Sequence, residues 1–251
     1  MITSISIALK KIFRKVYYFF REGSVVEITD PDILKGLKWI ESAGNGRAYF
    51  KGYYEPDLQM CLSKLLHPNS VFIDIGGHAG YISLFASQFA KQVLTFEPEE
   101  SNFNYIKKII AINNLQNVNA YNVALGSQAG KLKFEKSKGA TSMGKISDNG
   151  TLDVQVVSLD DFILENQVTQ VDLVKIDVEG FGAEVLKGMS GAIEKFNPII
   201  FFEFHNETEI NELKKLEDRG YQFRSSKFAP LDWAHLANEF VVAMPLNSTI
   251  N

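Results

Sequence analysis

Apolar residues along this chain follow two rhythms, and the change between them falls near residue 70. Before it, Ile5, Leu9, Ile12, Phe13, Val16, Tyr17 and Phe20 recur at intervals of three and four, which predicts one face of an amphipathic helix. From Val71 on, short β-branched runs alternate with helical patterns. Val71–Ile75, Gln92–Phe96, Val118–Ala124, Val171–Asp177 and Pro198–Phe204 are short for helices and suit strands buried on both faces. The stretches from Tyr81 to Ala90, Pro98 to Asn113, Ala183 to Met189 and Glu207 to Arg219 predict helices, the last closed by Gly220. Lys131–Glu135 and Val154–Val157 alternate like antiparallel strands around a polar loop, residues 138–150. That loop can close over a ligand or be a solvated hairpin tip. Tyr221–Arg224 and Glu239–Ala243 read as the last two strands. Repeated βα units imply an α/β fold, a mostly parallel sheet with helices on both faces.

Residues 22–66 lack this rhythm and read as a cap. Asp30 before Pro31 is a helix-start signal, Gly44-Asn-Gly-Arg is turn chemistry, and Leu58 to Leu66 is helical. Tyr53, Tyr54 and Glu55 stand just before that helix, where they can line a site or serve packing. The expected organisation is an amphipathic helix and cap over residues 1–66 and a ligand-binding α/β domain over residues 67–251.

Composition narrows the partners. The 251 residues are 45% apolar and 22% charged, which fits one α/β domain with an accessory segment. A net charge of −4 gives no general basis for nucleic-acid binding, and none is expected. The single Cys61 excludes an intramolecular disulfide and a thiolate metal site. With no secretory signal pattern, the cytoplasm is the expected compartment. The charge is uneven, because residues 1–21 hold Lys10, Lys11, Arg14, Lys15 and Arg21 and no acid. Such a helix suits peripheral contact with the anionic inner face of a membrane, or it packs on its own domain or on a second subunit of a homo-oligomer. Its interspersed charges exclude a transmembrane span.

In an open α/β sheet, ligands sit beyond the carboxyl ends of the strands. Here those ends offer Asp74 with Gly76, Gly77 and Gly80, then Glu97, then Asn122 and Ala124, then Asp177 and Glu179, and finally Glu203 and His205. Glu97 follows Gly76 by 21 residues, the spacing at which an acid accepts hydrogen bonds from ribose hydroxyls. The glycine loop departs from Gly-x-Gly-x-x-Gly. Asp74, inside the strand, is badly placed beneath a pyrophosphate and better placed near a cation.

The Asp74-x-Gly76-x-x-x-Gly80 loop resembles the first motif of class I S-adenosylmethionine-dependent methyltransferases. Gly52-Tyr-Tyr-Glu55, Glu97-Pro98, Val123-Ala-Leu-Gly126, Ser158-Leu-Asp160 and Lys175-Ile-Asp-Val-Glu-Gly180 follow in an order that is similar to the FkbM-type methyltransferase family. The resemblance implies a Rossmann-like sheet of seven strands with the last antiparallel, S-adenosylmethionine as cofactor, and O-methylation of a sugar, polyketide or other small-molecule hydroxyl. Asp74, Gly76, Gly77, Gly80, Glu97, Pro98, Asn122, Ala124 and Asp177 are then the expected cofactor-binding residues, with Asp74 near the cofactor's cationic amino-acid end. The family commonly has Gly-Ala-Asn where this chain has Gly77-His78-Ala79.

Methyl transfer to an alcohol needs in-line alignment and removal of a proton. His205 is the first candidate base, with Asp177, Glu179 and Glu203 as alternatives. The same four side chains can also hold a divalent cation, but no metal is expected. Two other readings stay open: a non-catalytic module that kept the pocket, and a nicotinamide-dependent oxidoreductase.

Overall fold

The structure, a computed structural model, describes residues 20–42, 47–136, 144–233 and 240–248. Nearly all of the expected amphipathic helix, the Gly44-Asn-Gly turn, residues 138–143 of the polar loop, and residues 234–239, which include the first residue of the expected Glu239–Ala243 strand, lie outside the described residues. The rest falls into two compact units, one within Met1–Tyr54 and one that begins at Glu55.

In the first unit, β1 (Val25–Glu27) and β2 (Lys38–Ile40) form an antiparallel hairpin. Trp39 on β2 is fully buried and stacks on Tyr49, which stacks in turn on Tyr54 with ring centroids 4.3 Å apart. Tyr54 is therefore engaged in packing, while Tyr53 is exposed.

The second unit opens with α1 (Pro56–Leu65) and then follows the βα rhythm through β3 (Val71–Ile75), α2 (Tyr81–Ala86), β4 (Gln92–Phe96), α3 (Glu100–Ile112) and β5 (Val118–Tyr121). The chain next builds a smaller sheet from β6 (Ala124–Leu125), β7 (Gly130–Glu135), β8 (Lys145–Ile146) and β9 (Leu152–Val157). It returns through α4 (Leu159–Glu165), β10 (Leu173–Ile176), α5 (Gly182–Lys187), α6 (Ser190–Phe196), β11 (Ile199–Glu203) and α7 (Glu207–Lys214) to β12 (Tyr221–Ser225) and β13 (Phe240–Pro245). The large sheet has seven strands in the order β12-β13-β11-β10-β3-β4-β5, and β13 alone runs against its neighbours. This is the mostly parallel architecture expected, with the last strand inserted inside the sheet.

Central β3 and β10 are buried at every position, which is why they read as unbroken apolar runs. The exceptions form one row. Thr95, Asp74 and Lys175 are register neighbours on β4, β3 and β10, all buried beneath the glycine loop.

At two of the element boundaries that differ from expectation, the hydrogen bonds responsible are visible. Helix α3 starts at Glu100 instead of Pro98, because the Glu99 carboxylate accepts hydrogen bonds from the Ser101 and Asn102 amides and acts as its cap. The expected strand Val118–Ala124 breaks at Asn122, whose side-chain amide donates to the Glu97 and Pro98 carbonyls at 2.9 and 3.0 Å. Ala124 consequently belongs to the smaller sheet, where it pairs with Val156. The Ser158-Leu-Asp160 run is structural. Ser158 caps α4 through the Asp161 amide, and Asp160 accepts from Gly191 and Ala192 at the start of α6.

Candidate active site

Strand β3 ends at Ile75, and Gly76 turns there with φ +80°. A Cβ on Gly76 would stand 1.9 Å from the Asp177 carbonyl oxygen, so only glycine lets the loop lie against the end of β10. A Cβ on Gly77 would stand 2.2 Å from Thr95 Oγ1. Gly80, also at φ +80°, precedes the first turn of α2. His78 takes a left-handed backbone, a conformation in which histidine and asparagine are over-represented among non-glycine residues. That turns its amide onto Glu97 Oε2 at 2.8 Å.

Glu97 is 5% exposed, and its other oxygen accepts from the Glu99 amide at 2.9 Å. Burial pushes its carboxyl up to about 7, against the lowering effect of the two backbone hydrogen bonds. In the folded chain Glu97 therefore keeps its proton where the unfolded chain has lost it. This contribution to stability is complete below about pH 4 and is lost as pH rises through 7, a difference of about 3 kcal/mol. Substituting Glu97→Gln should flatten that part of the profile, as read from urea midpoints at about pH 5 and pH 8. An unchanged slope would assign the effect elsewhere.

Asp74 is enclosed. Its Oδ2 accepts from Ser83 Oγ at 2.6 Å, and its Oδ1 lies 3.2 Å from Lys175 Nζ. Lys175 also donates to the Gly76 carbonyl at 3.0 Å and reaches Asp177 Oδ2 at 3.5 Å. Burial alone would lower the Lys175 pKa, but Asp74 and Asp177 override it and raise the value, so the group is an ammonium. The Asp74 side chain is 1% exposed, and Lys175 links it to the Gly76 carbonyl.

The other strand ends converge. Donor atoms of Asp177, Glu203 and His205 lie within 4.8 Å of one another, a set that could hold a cation. His205 Nε2 is 3.4 Å from Glu179 Oε2 and 3.8 Å from Glu203 Oε1. Burial, then the charge of Asp177 and a hydrogen bond to it, push the Glu203 carboxyl up to about 8, so Glu203 is protonated at neutral pH. Burial also raises Glu179, with His205 opposing the shift. Glu55, at the start of α1, is raised by burial and by the charge of Asp177. Asp177, Glu179 and His205 are thus brought together, with the Asp177 carbonyl against Gly76. Pro98 and Asn122 shape the turn after β4, and Ala124 lies in the smaller sheet.

Residues 74–223 match the Methyltransferase FkbM domain. The chain belongs to the FkbM methyltransferase family. The FkbM domain covers the glycine loop, both charged strand ends and the His205 region, and its class uses S-adenosylmethionine as methyl donor. Among curated relatives, the chain is 29% identical over 163 residues to the hexuronic acid methyltransferase AglP of Haloferax volcanii, covering 64% of this chain and 67% of that protein. It is 25% identical over 146 residues to Methyltransferase 1 of Beauveria bassiana, covering 48% of this chain and 59% of that one. The methyltransferase FkbM of Methylobacillus flagellatus KT superposes with a TM-score of 0.52 at 14% identity, over 74% of this chain and half of that one. This last likeness is one of fold. Among the described residues, no helix is long and apolar enough to cross a membrane.

The donor set suits the cofactor of this class. Glu97 is a buried carboxyl that, once ionised, can accept from hydroxyl donors in addition to its two backbone amides. At Gly76, Gly77 and Gly80 a Cβ would press on Asp177, Thr95 and Ile106, so the glycines let the loop pack against its own domain. Sequence reasoning missed the roles of Lys175, Thr95 and Ser83 beneath the glycine loop. A lysine inside an apolar strand, two residues before Asp177, was the available signal for the first.

Proposed function

We propose that this FkbM protein transfers a methyl group from S-adenosylmethionine to a hydroxyl of a sugar, glycan or small metabolite, with His205 as general base. The observation that carries the reading is His205, whose Nε2 faces Glu179 and Glu203 next to Asp177, at the strand ends that abut the glycine loop. S-adenosylmethionine supplies an electrophilic methyl group when bound. The chain's own residues do the rest. Glu97 accepts from the ribose hydroxyls, and the Gly76–Gly80 backbone with Asp177 takes the amino-acid end. As the acceptor oxygen gains its methyl group, its proton passes to His205 Nε2. Glu179 stabilises the imidazolium so formed, and protonated Glu203 donates to Asp177 and keeps that strand end from carrying two adjacent charges. The hexuronic acid named for AglP supports a sugar acceptor.

The test is isotope transfer. Protein incubated with methyl-labelled S-adenosylmethionine and a panel of hexoses, hexuronates and short glycans should yield an O-methylated product. Cofactor binding by calorimetry without label in any panel member, or in extracts of the source cells, would favour a binding module. Absence of cofactor binding would overturn the reading altogether.

A further inference from the structure

Glu209 belongs to none of the motifs discussed so far, yet it is the most enclosed acid near His205. It occupies the third position of α7, after the cap residue Asn206, whose side chain accepts from the Glu209 amide at 3.0 Å. At that position a glutamate ordinarily points into solvent or reaches back to the amide of its own cap. Glu209 does neither. Its side chain is fully buried, with Oε1 accepting from the Gly182 amide at 2.7 Å and Oε2 from the His205 amide at 2.6 Å. The first bond ties it to α5, directly after the Lys175–Gly180 run, and the second to the end of β11. A Cβ on Gly182 would lie 2.9 Å from Oε1, so that residue leaves room for the carboxylate.

The consequence is at the imidazole. His205 Nδ1 lies 3.8 Å from Glu209 Oε2, while Nε2 faces Glu179 on the opposite side of the ring. That separation is too long for a hydrogen bond and short enough for one to form on a small ring rotation, as catalytic contacts do when substrate binds. We propose that Glu209 is the positioning residue of His205. On that rotation its fully buried carboxylate outweighs the partly exposed Glu179 on the other side of the ring, so it favours the tautomer with the proton on Nδ1, leaves Nε2 as the proton acceptor, and stabilises the imidazolium once the acceptor hydroxyl has given up its proton. The proposal rests on His205 being the base, but the arrangement can be read without any acceptor.

The experiment is nitrogen NMR on histidine-labelled full-length protein, with the His205 resonances assigned by their loss in His205→Asn. In the wild type above neutral pH, neutral His205 should appear as the Nδ1–H tautomer. In Glu209→Gln, with the fold checked by circular dichroism, that population should fall to a mixture or to Nε2–H, because the amide no longer presents a charged acceptor. A wild-type His205 dominated by Nε2–H overturns the proposal, and so does a folded Glu209→Gln that keeps the Nδ1–H form. If Glu209→Gln does not fold, the wild-type tautomer decides. Failure of isotope transfer with the Nδ1–H signature intact would reject the proposed reaction and leave the Glu209–His205 pair standing.

Discussion

Turnover by His205→Ala should fall by about 10²–10⁴-fold, the range for loss of a general base, while its affinity for S-adenosylmethionine stays at the wild-type value. The two quantities separate because His205 makes no bond to the glycine loop or to Glu97. Its backbone amide is held by Glu209, and its ring faces Glu179 and Glu203. Removing the imidazole thus takes away the proton acceptor and leaves the ribose and amino-acid contacts in place. The comparison needs calorimetry on both proteins and kcat on the acceptor found by isotope transfer. Full turnover with normal binding would hand the proton to Asp177 or Glu179, and equal losses of binding and turnover would make His205 part of the cofactor pocket.

The second large effect is on stability. Lys175→Met should cost about 3–5 kcal/mol, as expected when one partner of a buried ion pair is removed. The methionine fills the space of the aliphatic stem, so the loss reports the charge. Asp74, 1% exposed at its side chain, is then left with Ser83 as its remaining side-chain donor, and the Gly76 carbonyl loses its ammonium. The double variant Asp74→Asn/Lys175→Met should recover part of the loss, because the uncompensated charge has gone with its partner. Urea midpoints for the wild type, Asp74→Asn, Lys175→Met and the double variant close the cycle. A loss below about 1 kcal/mol in the single variant, the size of an exposed pair, would show that Asp74 is solvated in solution.

The strands and the glycine loop were legible because their cause is local. Val71–Ile75 and Gln92–Phe96 are apolar runs whose lengths match strands buried on both faces, and both were found at their observed bounds. Gly220, expected to end the helix from Glu207, closes the short 3-10 turn Glu217–Arg219 with φ +79°, while α7 itself ends at Lys214. The site was legible as a set of residue types at strand ends. What escaped were contacts made by residues distant in sequence. Asn122 donates its amide to two carbonyls some 25 residues earlier, which no periodicity records. The Lys175 partner of Asp74 is 101 positions away on the neighbouring strand. Glu209 was invisible because an acid in the first turn of a helix needs no further explanation from sequence. The position of His78 is now accounted for by its left-handed backbone, which turns its amide toward Glu97.

The insertion of β13 between β11 and β12 bears on how the chain is made. During synthesis from the amino terminus, β11 and β12 leave the ribosome before the strand that must lie between them. Until residues 240–245 arrive, the hydrogen-bonding edge of β11 is open, and β12 has no neighbour in the large sheet. Open edges recruit strands from other chains. A nascent or truncated chain that stops short of β13 is thus the form most exposed to aggregation, although it already carries every residue of the candidate site.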